Sequence, residues 1–99
     1  MLPDEVGRRI DTAAALLTAA GHADSDPAES LHCLLAVDHL LVAGADPTGW
    51  AAMNADAVQP AIREALAHLG ALPREAFARP HIVAAAAAAQ TALERAEDA

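Results

Sequence analysis

The stretch that decides the fold runs from Asp26 to Gly44 and reads DPAESLHCLLAVDHLLVAG. Proline favours the first position of a helix and glycine the position just past its end, while Asp26 can cap the free N–H groups of the first turn. Between these ends, Leu, Val and Cys cover nearly the whole circumference of a helix. A helix that is apolar nearly all round is a buried helix. We therefore predict that this helix is the central element of the fold or is covered by a second chain.

Prolines and glycines mark further helices on both sides of this stretch. Pro3 opens a segment that closes at Gly21, Gly70 closes another, and Pro80 opens the last. Alternating β-branched or aromatic runs, which are typical of strands, are absent from the sequence. The pattern predicts an all-α fold, a four-helix bundle within a single domain spanning 1–99. The predicted helices lie at about 4–20, 27–43, 56–69 and 80–97, with a short extra helix near 47–53.

The other three helices each carry one apolar stripe at helical spacing. These stripes are Val6, Ile10, Ala13, Leu17 and Ala20 in the first helix, Val58, Ile62, Ala65, Leu66 and Leu69 in the third, and Ile82, Ala86, Ala89, Leu93 and Ala96 in the last. The last stripe consists mostly of methyl groups, so a neighbouring helix can approach it closely. The alanine run at 84–89 has the highest helix propensity available, and we interpret it as helix.

Composition excludes several classes of partner. Among 99 residues there are 29 alanines, no lysine and six arginines, and the net charge is −8. Binding to a phosphate backbone depends on clustered Lys and Arg, so no nucleic-acid partner is expected. No apolar stretch approaches the roughly 20 residues that span a bilayer, and the N-terminus is acidic where a signal peptide is basic. We expect a cytoplasmic protein without a membrane partner, with Cys33 as a single thiol that has no internal disulfide.

The balance between burial and chain entropy favours a homodimer. Fully burying one large apolar side chain contributes about 1.5–3 kcal/mol, whereas ordering a chain of this length costs on the order of 100–200 kcal/mol. The few large apolar residues therefore leave a thin margin, and the helix at 27–43 has more apolar surface than one neighbour covers. A self-complementary interface would add to the stability of the fold and would cover the remaining apolar surface of this helix. The acidic charge also permits a basic protein partner.

Polar residues on the helix at 27–43 are the candidates for a site. Asp38 lies within the apolar arc made by the leucines, and a buried carboxylate needs a partner or a raised pKa. His32 and His39 are seven residues apart and share a helix face. Asp38, His32 and His39 are therefore the candidate catalytic residues. Glu29, His32 and His39 are the candidate ligands for a divalent transition metal, although capping explains Glu29 and the polar edge of the helix explains the histidines.

A second alternative comes from a family resemblance. The stretch from Leu31 to Gly44 resembles the central helix of HEPN-type helical bundles, and the residues GALP at 70–73 resemble the turn before their last helix. The resemblance implies an RNase site made of Arg and His at a spacing that Arg63 and His68 have. Arg74 and His81 have a similar spacing.

These observations favour a small acidic interaction or regulatory module that has no catalytic activity, associates with itself and needs no cofactor. Acidic helical immunity proteins and antitoxins offer only a class analogy for such a role. The alternatives are a metal-binding or acid/base enzyme that uses the residues of the central helix, and a HEPN-like RNase.

Overall fold

The computed structural model describes residues 4–47 and 49–98, and over these ranges its only regular secondary structure is helical. The α-helices are α1 at Asp4–Ala23, α2 at Pro27–Val42, α3 at Val58–Gly70 and α4 at Pro80–Asp98, with 3₁₀ turns at Ala55–Ala57 and Arg74–Ala78. The predicted all-α four-helix bundle is confirmed, with each predicted helix present to within a few residues. Pro3, which we expected to open the first helix, lies outside the described residues.

The helices form a ring in which α1 and α4 each pack against both α2 and α3. The Ser30 hydroxyl donates to the Gly21 carbonyl at one end of the α1–α2 pair, and the Asp46 N–H donates to Asp11 at the other, so these two helices are antiparallel. Helices α2 and α4 are also antiparallel, because Asp26 at the start of α2 lies 3.7 Å from Arg95 near the end of α4.

The connection from α2 to α3 runs back along α1. It leaves α2 beside Asp11, where the Asp46 N–H is bound, and its Trp50 ring stacks on His22 with centroids 5.0 Å apart. The described residues of 47–53 contain no helix, so the expected short helix lies later in the chain, as the 3₁₀ turn at Ala55–Ala57. An extended path is required because this connection must span the length of the bundle.

Both ends of α2 follow the sequence signals. At its start, the Asp26 carboxylate accepts a hydrogen bond from the Ala28 N–H at 2.9 Å. At its end, Gly44 has a φ of 103°, which allows its own N–H to bond to the Leu41 carbonyl and the Ala45 N–H to bond to the Leu40 carbonyl. This pair of bonds is a Schellman motif, in which glycine avoids the strain that a side chain would cause.

Gly21 does not end α1, which continues to Ala23. Gly21 is buried at the crossing with α2, and a Cβ placed on it would lie 2.7 Å from Leu34 Cδ2. The glycine therefore allows close approach of two helices. Our interpretation of Gly21 as a helix terminator was wrong, because glycine is used both past helix ends and where backbones touch a neighbour.

The core is lined by one face of each helix. The stripe predicted for α1 is buried, and so is that of α3 apart from Leu66, which is partly buried. Helix α4 contributes Ile82, Leu93 and the small residues Ala85, Ala89 and Ala92, whereas Ala86 and Ala96 of its predicted stripe are only partly buried. In α2 the buried residues are Glu29, Cys33, Ala36, Val37 and Leu40. Over the described part of the chain, no helix combines the length and apolar character required to cross a membrane.

Candidate functional site

The outer face of α2 is unusually apolar. We define it as Leu31, Leu35, Asp38, Leu41 and Val42. Leu31 and Val42 are 65% and 66% exposed, and Leu35 and Leu41 are 41% and 45% exposed. The helix thus buries the arc of small residues, which fits closely against α1 and α4, and leaves most of its leucine-rich arc in solvent.

Asp38 lies in the middle of this outer face and is exposed. We expected it to be buried within the apolar arc, and that expectation was wrong, because the arc itself is turned outward. Residues three and four positions away along a helix are its neighbours on the surface. For Asp38 these neighbours are Leu34, Leu35, Leu41 and Val42, so the carboxylate is surrounded by apolar side chains.

The outer face carries little of the charge of the chain. Of the 14 acidic residues only Glu29 and Asp38 lie within α2, and Glu29 is 6% exposed on the opposite, buried face. Asp38 is therefore the single formal charge on a face that belongs to a protein of net charge −8. Another copy can approach this face against less electrostatic repulsion than it would meet elsewhere on the molecule.

His39 meets a histidine that sequence reasoning did not pair with it. Its Nδ1 lies 3.4 Å from Nδ1 of His81, and the two rings are tilted by 32° with centroids 5.7 Å apart. His39 is in the last turn of α2 and His81 is the second residue of α4. The two are 42 residues apart in sequence, and only the antiparallel packing of α2 and α4 brings them together.

The other end of α2 holds a cluster of carboxyl groups. Burial raises the pKa of Glu29, and the nearby charges of Asp24 and Asp26 raise it further. The pKa of Asp26 is lowered chiefly because its carboxylate accepts the Ala28 N–H. Asp24 accepts the Asp26 N–H at 2.9 Å through Oδ1, while its Oδ2 is buried and has no hydrogen-bond partner among the described residues. Asp26 caps the helix start, while Asp24 and Glu29 line a shallow cleft with Ser25.

The candidate ligands Glu29, His32 and His39 do not come together. Glu29 belongs to the carboxyl cluster at the start of α2, whereas His39 meets His81 near its end. Within the residues the structure describes, no group of three or more His, Cys, Asp or Glu side chains is arranged to hold a metal ion. The candidate catalytic residues Asp38, His32 and His39 also do not converge, because Asp38 faces solvent on the outer face.

The Arg and His residues of the RNase-type pattern point to different neighbours. Arg63 lies 3.6 Å from Glu97 on α4, whereas Nδ1 of His68 lies 3.3 Å from Arg9 on α1. They therefore occupy opposite edges of α3. His81 faces His39, and Arg74 belongs to the 3₁₀ turn that precedes α4.

The thiol of Cys33 is shielded by the core. Cys33 is fully buried, and burial raises the pKa of its thiol to about 12. A thiol in such surroundings is inert as a nucleophile.

A shallow groove between α1 and α3 is lined by Arg8, Arg9, Thr12, Glu5 and His68. Sequence reasoning missed this groove, since nothing in the spacing of Arg9 and His68 signals their contact.

Comparisons with known proteins do not assign a function. No protein-family model, no curated protein and no solved structure matches this chain.

Proposed function

We propose that this chain is an interaction module without catalytic activity that forms a homodimer through the outer face of α2. The observation that carries the proposal is the exposure of four large apolar side chains on one helix face, with Leu31 and Val42 about two-thirds exposed. Full burial of one such side chain contributes about 1.5–3 kcal/mol of free energy, and part of this is lost while the side chain remains in water.

The size of the outer face suits a second copy. Its four apolar side chains expose on the order of 300 Å² of apolar surface, which matches the largest patches found on monomers, and such patches are often functional. Two copies joined across a two-fold axis would cover this surface twice. The apolar side chains of the two copies then supply about 600 Å² of buried area, and the surrounding polar rim has to supply the rest of the roughly 1,200 Å² at which stable interfaces begin.

The charge distribution also favours a second copy. A two-fold interface places the same surface on both partners, so it must be compatible with itself. The outer face carries Asp38 as its single formal charge, and two such faces bring only two carboxylates together. The remaining acidic residues lie on other surfaces, where salt can screen their mutual repulsion.

Absence of catalysis belongs to the same proposal. Its support is that Asp38 and His32 lack a converging partner among the described residues and that Cys33 is buried with a raised pKa. A cytoplasmic location is also part of the proposal, since a single buried thiol with no disulfide suits a reducing compartment.

Sedimentation velocity of the untagged chain over a range of micromolar concentrations tests this function. We expect a reversible monomer–dimer equilibrium, with a dimer of twice the 10.1 kDa chain mass. Adding salt should tighten the dimer, because screening weakens the repulsion between two copies of charge −8. A 10.1 kDa species at every concentration would refute the homodimer. If the chain instead binds a basic protein, with an affinity that falls as salt is added, the partner is that protein and not a second copy.

A further inference from the structure

The distance between the rings of His39 and His81 is longer than that of a typical hydrogen bond. Hydrogen bonds from N–H groups in proteins have donor–acceptor distances of about 2.7–3.2 Å. The Nδ1 atoms of the two rings are 3.4 Å apart. If both rings carry their proton on Nε2, two lone pairs face each other across this gap. In this tautomer the arrangement leaves a place between the rings for an electron-pair acceptor.

The same spacing matches one metal geometry. Zinc binds histidine nitrogen at about 2.0–2.1 Å and prefers tetrahedral coordination. Two ligands at that distance, separated by the tetrahedral angle of about 109°, lie about 3.3–3.4 Å apart. Adjacent ligands in square-planar or octahedral sites, at about 90°, lie only about 2.9 Å apart. The observed 3.4 Å between the Nδ1 atoms thus agrees with a tetrahedral ion.

The two rings are held by packed helices and remain accessible. Helices α2 and α4 are in contact along their length, from the His39–His81 pair to the Asp26–Arg95 pair. His81 is exposed and His39 is partly exposed, so an ion and its water ligands can reach them. The C-terminal end of α2 attracts a cation and the N-terminal end of α4 repels one. Because the two helix dipoles oppose each other, the affinity for the ion is determined by the two nitrogen ligands.

We propose that His39 and His81 bind one Zn²⁺ ion through their Nδ1 atoms, with water in the other two positions of the tetrahedron. The ion would link the end of α2 to the start of α4. This site adjoins the outer face of α2, because Leu35 and Val42 are surface neighbours of His39 on the helix. It also departs from the metal ligands expected from the sequence, since it retains His39 and replaces Glu29 and His32 by a residue of another helix.

Titration of ZnCl₂ into the chelator-treated, untagged full chain, followed by isothermal calorimetry, tests the site. We expect one Zn²⁺ per chain. His39→Ala and His81→Ala should each lower the affinity by at least about tenfold, since a single imidazole remains. His32→Ala is the matched control, because it removes a histidine from the same helix and should leave the affinity unchanged. Circular dichroism of each variant establishes that the helices persist.

Coordination geometry gives a second readout. Co²⁺ in the same site should show the strong visible absorption of a four-coordinate ion, and that absorption should be absent in His81→Ala. An unchanged affinity for Zn²⁺ in both His39→Ala and His81→Ala would overturn the proposal. An equal loss of affinity in His32→Ala would also overturn it. One Zn²⁺ per two chains would also overturn it, since the site would then lie between copies.

Discussion

Asp26 and Glu29 are neighbours at the start of α2, and their pKa values shift in opposite directions. Asp26 accepts the Ala28 N–H, which stabilises its charged form. Glu29 is 6% exposed, and burial raises its pKa because it disfavours the charged form. The folded state therefore favours a protonated Glu29 beside a charged Asp26. This arrangement makes the stability of the bundle depend on pH.

Replacing Glu29 by glutamine should stabilise the fold at neutral pH. The pKa of Glu29 is raised above its ordinary value of 4.5, so the folded chain holds this proton more tightly than the unfolded chain. The resulting penalty is absent below pH 4.5, grows as the pH rises toward the folded pKa, and persists above it. We expect Glu29→Gln to raise the midpoint of thermal unfolding at pH 7 and to have little effect at pH 4.

The matching replacement of Asp26 should act with the opposite sign. The pKa of Asp26 is lowered from 3.8, so its stabilising effect is present above pH 3.8 and is lost as the pH falls through the folded pKa. Asp26→Asn should lower the unfolding midpoint at pH 7. A lowered midpoint for Glu29→Gln at pH 7, or a raised one for Asp26→Asn, would contradict this opposition of sign.

Val42→Ser should weaken the homodimer without weakening the monomer. Val42 is 66% exposed on the outer face, so the monomer gains little from it. Loss of about 1 kcal/mol of burial in each of two copies corresponds to a Kd that is about 30-fold higher. Val83→Ser is the matched control, because Val83 is 48% exposed on α4. Sedimentation should show a shift for Val42→Ser alone, and equal shifts would place the interface elsewhere.

Asp38→Asn should strengthen self-association. Burying an ionised carboxylate between apolar side chains is costly, and a two-fold interface buries two. The amide keeps the shape of the side chain and removes the charge. We expect a Kd about tenfold lower or more, which corresponds to about 1.4 kcal/mol. An unchanged Kd in sedimentation would mean that Asp38 stays in solvent and that the interface does not cover the middle of the outer face.

Two glycines of α1 should respond to alanine in opposite ways. A Cβ on Gly21 would lie 2.7 Å from Leu34 Cδ2 and 2.8 Å from its Cγ, so Gly21→Ala must displace Leu34. Overpacking of this kind costs about 1–3 kcal/mol, which cancels or exceeds the gain in helix propensity of about 1 kcal/mol. Gly7 has open space at its Cβ position, so Gly7→Ala should gain the propensity alone. Chemical denaturation of both variants measures the difference, and a stabilised Gly21→Ala would rule out the close approach of α1 and α2.

The Cys33 thiol should react only when the bundle opens. Its side chain is fully buried, and burial raises its pKa to about 12, so neither access nor thiolate is available in the folded state. A disulfide reagent added at pH 8 should label the native chain slowly and the chain in guanidinium at once. Rapid labelling of the native chain would show that α2 separates readily from α1 and α4.

The sequence was sufficient to predict the helices because their ends have local causes. Asp26, Pro27 and Gly44 cap or terminate α2 through groups within a few residues of each other. Gly21 shows where this reasoning ends, since the close approach of Leu34 is a tertiary contact that leaves no local signal.

The candidate site could be predicted only in part for the same reason. Leu31 and Leu35 lie on one arc of α2, and Cys33, Val37 and Leu40 lie on the other. Since both arcs are apolar, periodicity could not decide which one would be buried. In the structure the arc that contains Ala36 is the buried one, and α2 packs against α4, whose buried residues are mostly alanine. In the same way, His39 was identified as a candidate, but its partner His81 required the packing of α2 against α4.

In the proposed dimer, two copies meet through the outer face of α2. An isotope-filtered nuclear Overhauser experiment on a mixture of ¹³C-labelled and unlabelled chains detects contacts between copies. We expect such contacts from the methyl groups of Leu31, Leu35 and Val42. Contacts from Val83 in place of these, or none at concentrations where sedimentation shows a dimer, would contradict it.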